Sequence, residues 1–368
     1  MGTGLTSRTD KIDVDFSLAL HNRTGKYFIG RDILADHHDL IGTVRYWRVA
    51  AKHAPADSLG LVIGKAMALE TEYRVRSRFF DMYLPKIRPR ARVLHTDPFT
   101  VVYHQLMEGD LVLCHDLGPV THPELFAPDV AVLYRRAYED VSRVGPHMVF
   151  VSCASQAAFH AHFPARYASS RVIYPHIRSE VLEGDEAAVA GITKPFLLTI
   201  GNVGARKNQL RAIAAFASAG LAQEGIQYVI CGGREPGYED VVGASDAPGI
   251  RLLGYVGDKE LNWLYANASG FLLPSLLEGF GLPVAEAIAR GLIPLVSRDG
   301  VLHEVAGNDA LLVDPQDTES IAAGMKHLVK MGEAERKTRL LGLTASLDRF
   351  TRDAFRRSWG EVLTGPPG

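Results

Sequence analysis

At 368 residues the chain is too long for one ordinary core and suits two domains of middling size. Its hydrophobic fraction of 47% and charged fraction of 22% are those of a soluble globular protein. A net charge of −2 supplies no global field that would recruit nucleic acid, so any electrostatic partner has to be met locally.

The first residues, "MGTGLTSRTDKIDVDF", carry acidic groups where a secretory leader needs a basic start and an apolar run. No stretch approaches the roughly 20 uninterrupted apolar residues of a membrane span. Cys114, Cys153 and Cys231 stand far apart without a CxxC pair, which argues against a disulfide framework or zinc and fits a reducing compartment. A cytoplasmic location is the expectation.

Short β-rich runs alternate with helical patterns from there on. "LVLCHDL" (111–117), "HMVFVSCAS" (147–155), "PFLLTIG" (195–201), "IQYVICGG" (226–233), "SGFLLPS" (269–275) and "IPLVS" (293–297) predict buried strands. "NQLRAIAAFASAG" (208–220) predicts a helix with Leu210, Ile213, Ala214 and Ala217 on one stripe. Alternation of this kind means parallel sheets covered by helices on both faces, an α/β fold. The polar, proline-bounded stretch 169–195 interrupts it. The expected division is therefore 1–180, 190–345 and a C-terminal helical segment, 346–368, packing back on the first domain. Two Rossmann-like domains with parallel sheets facing across a cleft are the expected architecture.

"YRVRSRFFDMYLPKIRPRAR" (73–92) sets Arg74, Arg76, Arg78, Lys86, Arg88, Arg90 and Arg92 against Asp81 alone, around an apolar middle. That composition suits peripheral contact with anionic lipid headgroups, and equally a helix with a solvated basic rim.

Chemistry gathers in the second half. "FLLTIGNVGARKNQ" runs from a strand through Gly201 and Gly204 to Arg206-Lys207 at a helix start, where backbone N–H groups and two cations would attract a phosphate. "LLEGFGLPVAEAIARG" (276–291) places Pro283 at the expected first helical position and Gly291 just past the end. Glu278 falls in the preceding turn and Glu286 inside the helix. Carboxylates accept pairs of sugar hydroxyls, so two of them beside a phosphate cradle suit a nucleotide sugar. Alternatively Glu286 pairs with Arg290 at i,i+4 and Glu278 is solvated, at a few tenths of a kcal/mol.

"EGFGLPVAE", with "GNVGARKN" upstream and "LLVDPQD" (311–317) downstream, resembles the retaining glycosyltransferases of family 4, with the GT-B fold. "HNRTGKYFIGRDIL" (21–34) and "HDLGPVTHPELF" (115–126) match more loosely, and the latter is most similar to bacterial mannosyltransferases of O-antigen and exopolysaccharide pathways. The resemblance implies that Arg206 and Lys207 bind the donor diphosphate, with Gly204 in the same turn. Glu286 would accept from the ribose, and Glu278 would contact the transferred sugar. Gly279, Phe280, Gly281 and Leu282 would offer backbone N–H groups, Tyr255 and Val256 would flank the base, and His115 would face the reacting sugar. It further implies a metal-independent hexosyl transfer, with no cofactor beyond the nucleoside diphosphate sugar as co-substrate. GDP-mannose is the preferred donor and a UDP-hexose the second. The acceptor would be a lipid-linked saccharide in surface-polysaccharide synthesis. Rival readings are a sugar-nucleotide epimerase, a phosphorylase and a catalytically silent nucleotide-sugar binder.

Three other motifs are weighed against this. Asp13-Val-Asp15 matches a metal-holding DxD, but only about a dozen residues precede it, and a polar strand entry is expected. His37-His38-Asp39 is expected on a solvated face. His115, without the resemblance, reads as a structural histidine at a strand end.

Overall fold

A computed structural model describes residues 11–21, 25–55, 57–77 and 82–365. The chain divides into two compact units, residues 1–175 with 353–368, and residues 176–352.

The first unit is built on a seven-stranded sheet in the order β3-β2-β1-β4-β5-β6-β7. Its strands are β1 (Ile12–Asp15), β2 (Ile41–Tyr46), β3 (Val49–Ala50), β4 (Val93–His95), β5 (Leu111–Cys114), β6 (His147–Phe150) and β7 (Ser169–Val172). All neighbours run parallel except β2 and β3. Strands β4 and β5 are buried on both faces, which explains continuous apolar runs rather than alternation. The helices that matter below are α1 (Gly25–Asp36), α2 (Asp57–Arg76) and the Pro128–Val144 helix. The last helix, Arg352–Thr364, buries Phe355, Trp359 and Leu363. There the Arg92 guanidinium donates to the carbonyls of Leu363 and Gly365.

The second unit carries six parallel strands in the order β10-β9-β8-β11-β12-β13. They are β8 (Phe196–Ile200), β9 (Gln227–Cys231), β10 (Ile250–Gly254), β11 (Gly270–Leu273), β12 (Pro294–Ser297) and β13 (Leu311–Val313). Phe196, Leu197 and Leu198 are fully buried, each such side chain contributing about 1.5–3 kcal/mol by leaving water. The sheet's strand order reverses between β8 and β11. In open α/β sheets the crevice beyond the carboxyl ends of the strands at such a reversal is where ligands bind. The loops leaving β8 and β11 are the two that carry the Arg-Lys pair and Glu278.

Candidate functional site: a charged cluster at the strand reversal of the C-terminal unit

Two loops are laced together beyond β8 and β9. Val203 N–H donates to Gly233 O at 2.6 Å, Glu235 N–H to Val203 O at 3.0 Å, and Ala205 N–H to Pro236 O at 2.8 Å. The approach is close enough that a Cβ at Gly204 would meet the Glu235 side chain and the Pro236 carbonyl at 2.5 Å, so only glycine fits there. The Gly204 N–H donates to the Gln209 side chain at 3.2 Å. Its first contribution is thus to let the loops close.

Arg206 and Lys207 lie in a single 3-10 turn, Ala205–Lys207, one step earlier than the expected helix start. The helix itself spans Gln209–Ser218 and begins after Asn208, whose φ is 61°. The Asn208 amide fixes this entry by donating to the carbonyls of Pro274 at 2.9 Å and Pro315 at 2.7 Å. Pro315 belongs to the "VDPQD" segment, and it also accepts from Arg211 at 2.8 Å. That segment braces the turn bearing the two cations.

From the loop after β11, Glu278 reaches both cations. Its Oε1 accepts from Lys207 Nζ and from Ser275 Oγ at 2.8 Å, and its Oε2 lies 3.4 Å from Arg206 Nη1. Arg206 also donates to Leu277 O at 3.1 Å and to Glu235 Oε2 at 3.1 Å. One guanidinium and one ammonium therefore meet two carboxylates in a nearly dry setting, and Glu278 is not the solvated carboxylate of the alternative reading. Burial alone would raise the Glu278 pKa, but Lys207, Arg206 and the Ser275 hydroxyl outweigh it and hold the carboxyl below its ordinary value. Burial lowers the Lys207 pKa, with Glu278 opposing it and the neighbouring Arg206 adding to it. Glu235 was missed in the sequence. Its only signal was a carboxylate two residues beyond the Gly-Gly that ends a strand.

Glu286 belongs to a second cluster. The Leu282–Ala289 helix starts after Gly281, so Pro283 is its second residue rather than its first, and Gly291 lies past the Arg290 cap. Gly281 has φ 90°, and a Cβ there would meet Leu302 at 2.5 Å, so this cap too requires glycine. Glu286 is 1% exposed. Its Oε1 accepts from Arg178 Nε at 2.7 Å and its Oε2 from the Tyr265 hydroxyl at 2.9 Å. The expected i,i+4 partner, Arg290, instead donates to Glu186 at 3.0 Å and Asn262 O at 2.9 Å. The structure thus joins Arg206, Lys207 and Glu278 directly, while Glu286 answers to Arg178. Phe280 turns its ring inward against Phe350, 5.1 Å between centroids. Tyr255 is 85% exposed after β10, with Val256 half-buried beside it.

In the N-terminal unit, His115 follows β5 and is buried. Its Nε2–H donates to Thr96 O at 2.8 Å. Burial, followed by the nearby Lys26, lowers its pKa to about 4, so the ring is neutral at physiological pH. Asp15 is fully buried and accepts from Ser17 and, at 2.7 Å, from His104 Nε2, while Asp13 caps Thr43 N–H at 2.9 Å. Both carboxylates of the DxD match are occupied by internal bonds. Among the described residues no cluster of potential metal ligands occurs. Of the run His37-His38-Asp39, His38 and Asp39 are exposed as expected, while His37 is buried.

The basic stretch also needs correction. Arg74 is 1% exposed and bonds Glu70 at 2.6 Å and Leu84 O at 2.7 Å; Lys86 reaches Asp140 at 3.3 Å, and Arg92 caps the last helix. Arg76, Arg88 and Arg90 are exposed, and Arg78 lies outside the described residues. No helix among the described residues is long and apolar enough to cross a membrane. Of the cysteines, Cys114 and Cys231 are buried and Cys153 is exposed, all three free thiols.

Two parallel-sheet α/β units, with paired cations and a carboxylate at a strand reversal, define a chain of the GT-B glycosyltransferase fold class. Anabaena HepE in complex with UDP-glucose superposes with a TM-score of 0.67 and 14% identity, over 97% of this chain and 100% of that one. Residues 185–340 match the family Glycosyl transferases group 1, in agreement with the resemblance carried by "EGFGLPVAE". The chain is 47% identical over 74 residues to O-antigen chain mannosyltransferase B of Escherichia coli, covering 20% of this chain and 19% of that protein. It is 26% identical over 258 residues to the serotype-specific mannosyltransferase WbdA of Escherichia coli, covering 64% of this chain and 31% of the relative. The chain thus spans a third or less of the length of these curated relatives.

Proposed function

We propose that the chain is a retaining, metal-independent glycosyltransferase that moves a hexose from a nucleoside diphosphate sugar to a lipid-linked saccharide. The observation that carries this is the convergence of Arg206, Lys207 and Glu278 where the sheet order reverses. Departure of a nucleoside diphosphate builds negative charge, and preorganised cations in a dry site stabilise it without a metal. Glu278 here occupies the position an anion would take. A diphosphate arriving at Arg206 and Lys207 replaces it, and the freed carboxylate turns to the hydroxyls of the transferred sugar. Glu286 accepts from the ribose with lone pairs that Arg178 and Tyr265 leave open. Backbone groups of Gly279 to Leu282 complete the sugar and phosphate contacts, and Tyr255 and Val256 flank the base. The assignment of His115 to the reacting sugar rests on the resemblance alone.

Mannose from GDP-mannose is the preferred donor, supported by the mannosyltransferases among the relatives. A UDP-hexose is the second reading, favoured by the UDP-glucose held in a protein of the same fold. The acceptor surface is placed on the cytoplasmic leaflet, with Arg76, Arg88 and Arg90 as its headgroup contacts in place of the buried Arg74.

One assay tests these points together. Nucleotide sugars are supplied in EDTA with a lipid-linked oligosaccharide in phosphatidylglycerol vesicles, and the anomeric configuration of the product is read by NMR. Transfer with retention is expected, weakened in an Arg76→Gln, Arg88→Gln, Arg90→Gln variant and in neutral vesicles. Donor isomerisation without acceptor would establish the epimerase. Binding without turnover under every acceptor would establish a silent binder, and recovery only with manganese would overturn the metal-free mechanism.

A further inference from the structure

A cavity of about 920 Å³ opens within the N-terminal unit, walled by α2, the Pro128–Val144 helix and the 3-10 turn Pro98–Tyr103. Leu18, Met67, Phe99 and Leu133 give it a hydrocarbon floor. The neutral polar groups of its wall, and Lys26, are engaged internally, while His21, Lys65, Glu72, Arg76 and Asp129 also line it. The Thr71 hydroxyl bonds Met67 O at 2.7 Å and the Tyr103 hydroxyl, Tyr134 donates to Asp97 at 2.7 Å, and Lys26 lies 3.2 Å from both Asp97 and Tyr134. Along the part walled by Thr71, Tyr103 and Tyr134 a glycan hydroxyl, which needs a partner when removed from water, would have to break a bond already made. A hydrocarbon chain needs none.

The outer surface of α2 continues this chemistry. Leu59, Val62, Leu69 and Tyr73 recur at spacings of three, seven and four, which puts them on one stripe of the helix. They are 62%, 64%, 55% and 50% exposed. Lys65 and Arg76 border the stripe on its Leu69 side, Arg76 paired with Glu72 at 2.8 Å, and basic residues beside an apolar stripe suit a helix lying in a lipid interface. Leu69 belongs both to the stripe and to the cavity lining, so the two apolar surfaces are continuous.

We infer that this cavity takes the aliphatic chain of the acceptor amphiphile, which reaches it past Leu69 from a lipid layer lying on the α2 stripe. The inference rests on the transferase reading for the word acceptor. The binding of the chain itself is separable from it.

The test titrates the full chain, without any sugar donor, against hexyl, octyl, decyl and dodecyl phosphate below their micelle concentrations. Affinity is expected to rise about fourfold for each added methylene, the factor for moving one CH₂ out of water. Ala68→Trp, an exposed α2 position on the cavity wall, and Leu133→Gln on the floor should each weaken decyl phosphate at least tenfold. Affinity independent of chain length, inorganic phosphate binding as well as decyl phosphate, or wild-type binding by both variants would overturn the inference. Nucleotide-sugar binding measured on the same samples separates the two claims. Its loss beside an intact chain-length series sinks the transferase reading and keeps the hydrocarbon site.

Discussion

Replacing Lys207 by alanine is expected to lower kcat about 10²- to 10³-fold, the usual effect of removing one donor aimed at developing negative charge. KM for the donor should change much less. The reason lies in the timing of the charge, since the diphosphate gains negative charge as the glycosidic bond breaks, and an ammonium beside it is worth most in the transition state. In the free protein Lys207 already neutralises Glu278. Donor binding therefore exchanges one anion for another, with modest net gain in the ground state. The variant should still fold, because Glu278 keeps Arg206 and Ser275 as partners. Steady-state kinetics decide this. A kcat within twofold of the parent would remove Lys207 from the reaction.

The second large effect belongs to Glu286. Alanine there leaves the Arg178 guanidinium, 18% exposed, without its carboxylate and the Tyr265 hydroxyl without its acceptor. Breaking a buried pair by removing one partner costs about 3–5 kcal/mol. For a domain of this size a 3 kcal/mol loss lowers Tm by about 6–12 °C. Glu286→Gln keeps the shape and separates structure from binding. If the carboxylate also accepts from a ribose hydroxyl, the folded glutamine variant should bind free GDP or UDP about tenfold more weakly, from one charge-assisted bond of about 1.5 kcal/mol. A shift under 2 °C in the alanine variant would show that the ion pair is not structural. Undiminished nucleotide affinity in the glutamine variant would end the ribose role.

Much of the framework is visible in the one-letter code because both sheets are covered on two faces. Strands such as "PFLLTIG" and "IQYVICGG" then appear as unbroken apolar runs, and they are found at Phe196–Ile200 and Gln227–Cys231. The joining of Arg206-Lys207 to Glu278 was legible through the family resemblance, and the sheet supplies its physical reason. Each lies just past the end of such a strand, and strands that neighbour in a parallel sheet bring their following loops together. The partners of buried charges were not legible. Arg178 meets Glu286 across 108 residues of chain, and it falls in a stretch that composition marks as linker. The count of cations in 73–92 misleads in the same way. Whether an arginine faces solvent or, like Arg74, lies beneath a helix against Glu70 depends on helix rotation, which the charges themselves do not encode. Asp15, expected as a polar strand residue despite its match to a metal-holding pattern, is a buried acceptor for His104, a partner 89 residues away that the sequence does not point to.

The most direct test is calorimetric titration of the protein, in EDTA, with GDP-mannose and UDP-glucose, alongside the Arg206→Ala, Lys207→Ala double variant. In the single Lys207 variant Arg206 still serves both Glu278 and the diphosphate. With both cations gone the diphosphate enters beside an unpaired buried carboxylate, so two charge-assisted hydrogen bonds of about 1.5–3 kcal/mol each are lost with nothing in exchange. The account predicts one-site binding of at least one of these donors to the parent chain, weakened 100-fold or more in the variant. Equal affinity in the two proteins, or no binding of either nucleotide sugar, would contradict it.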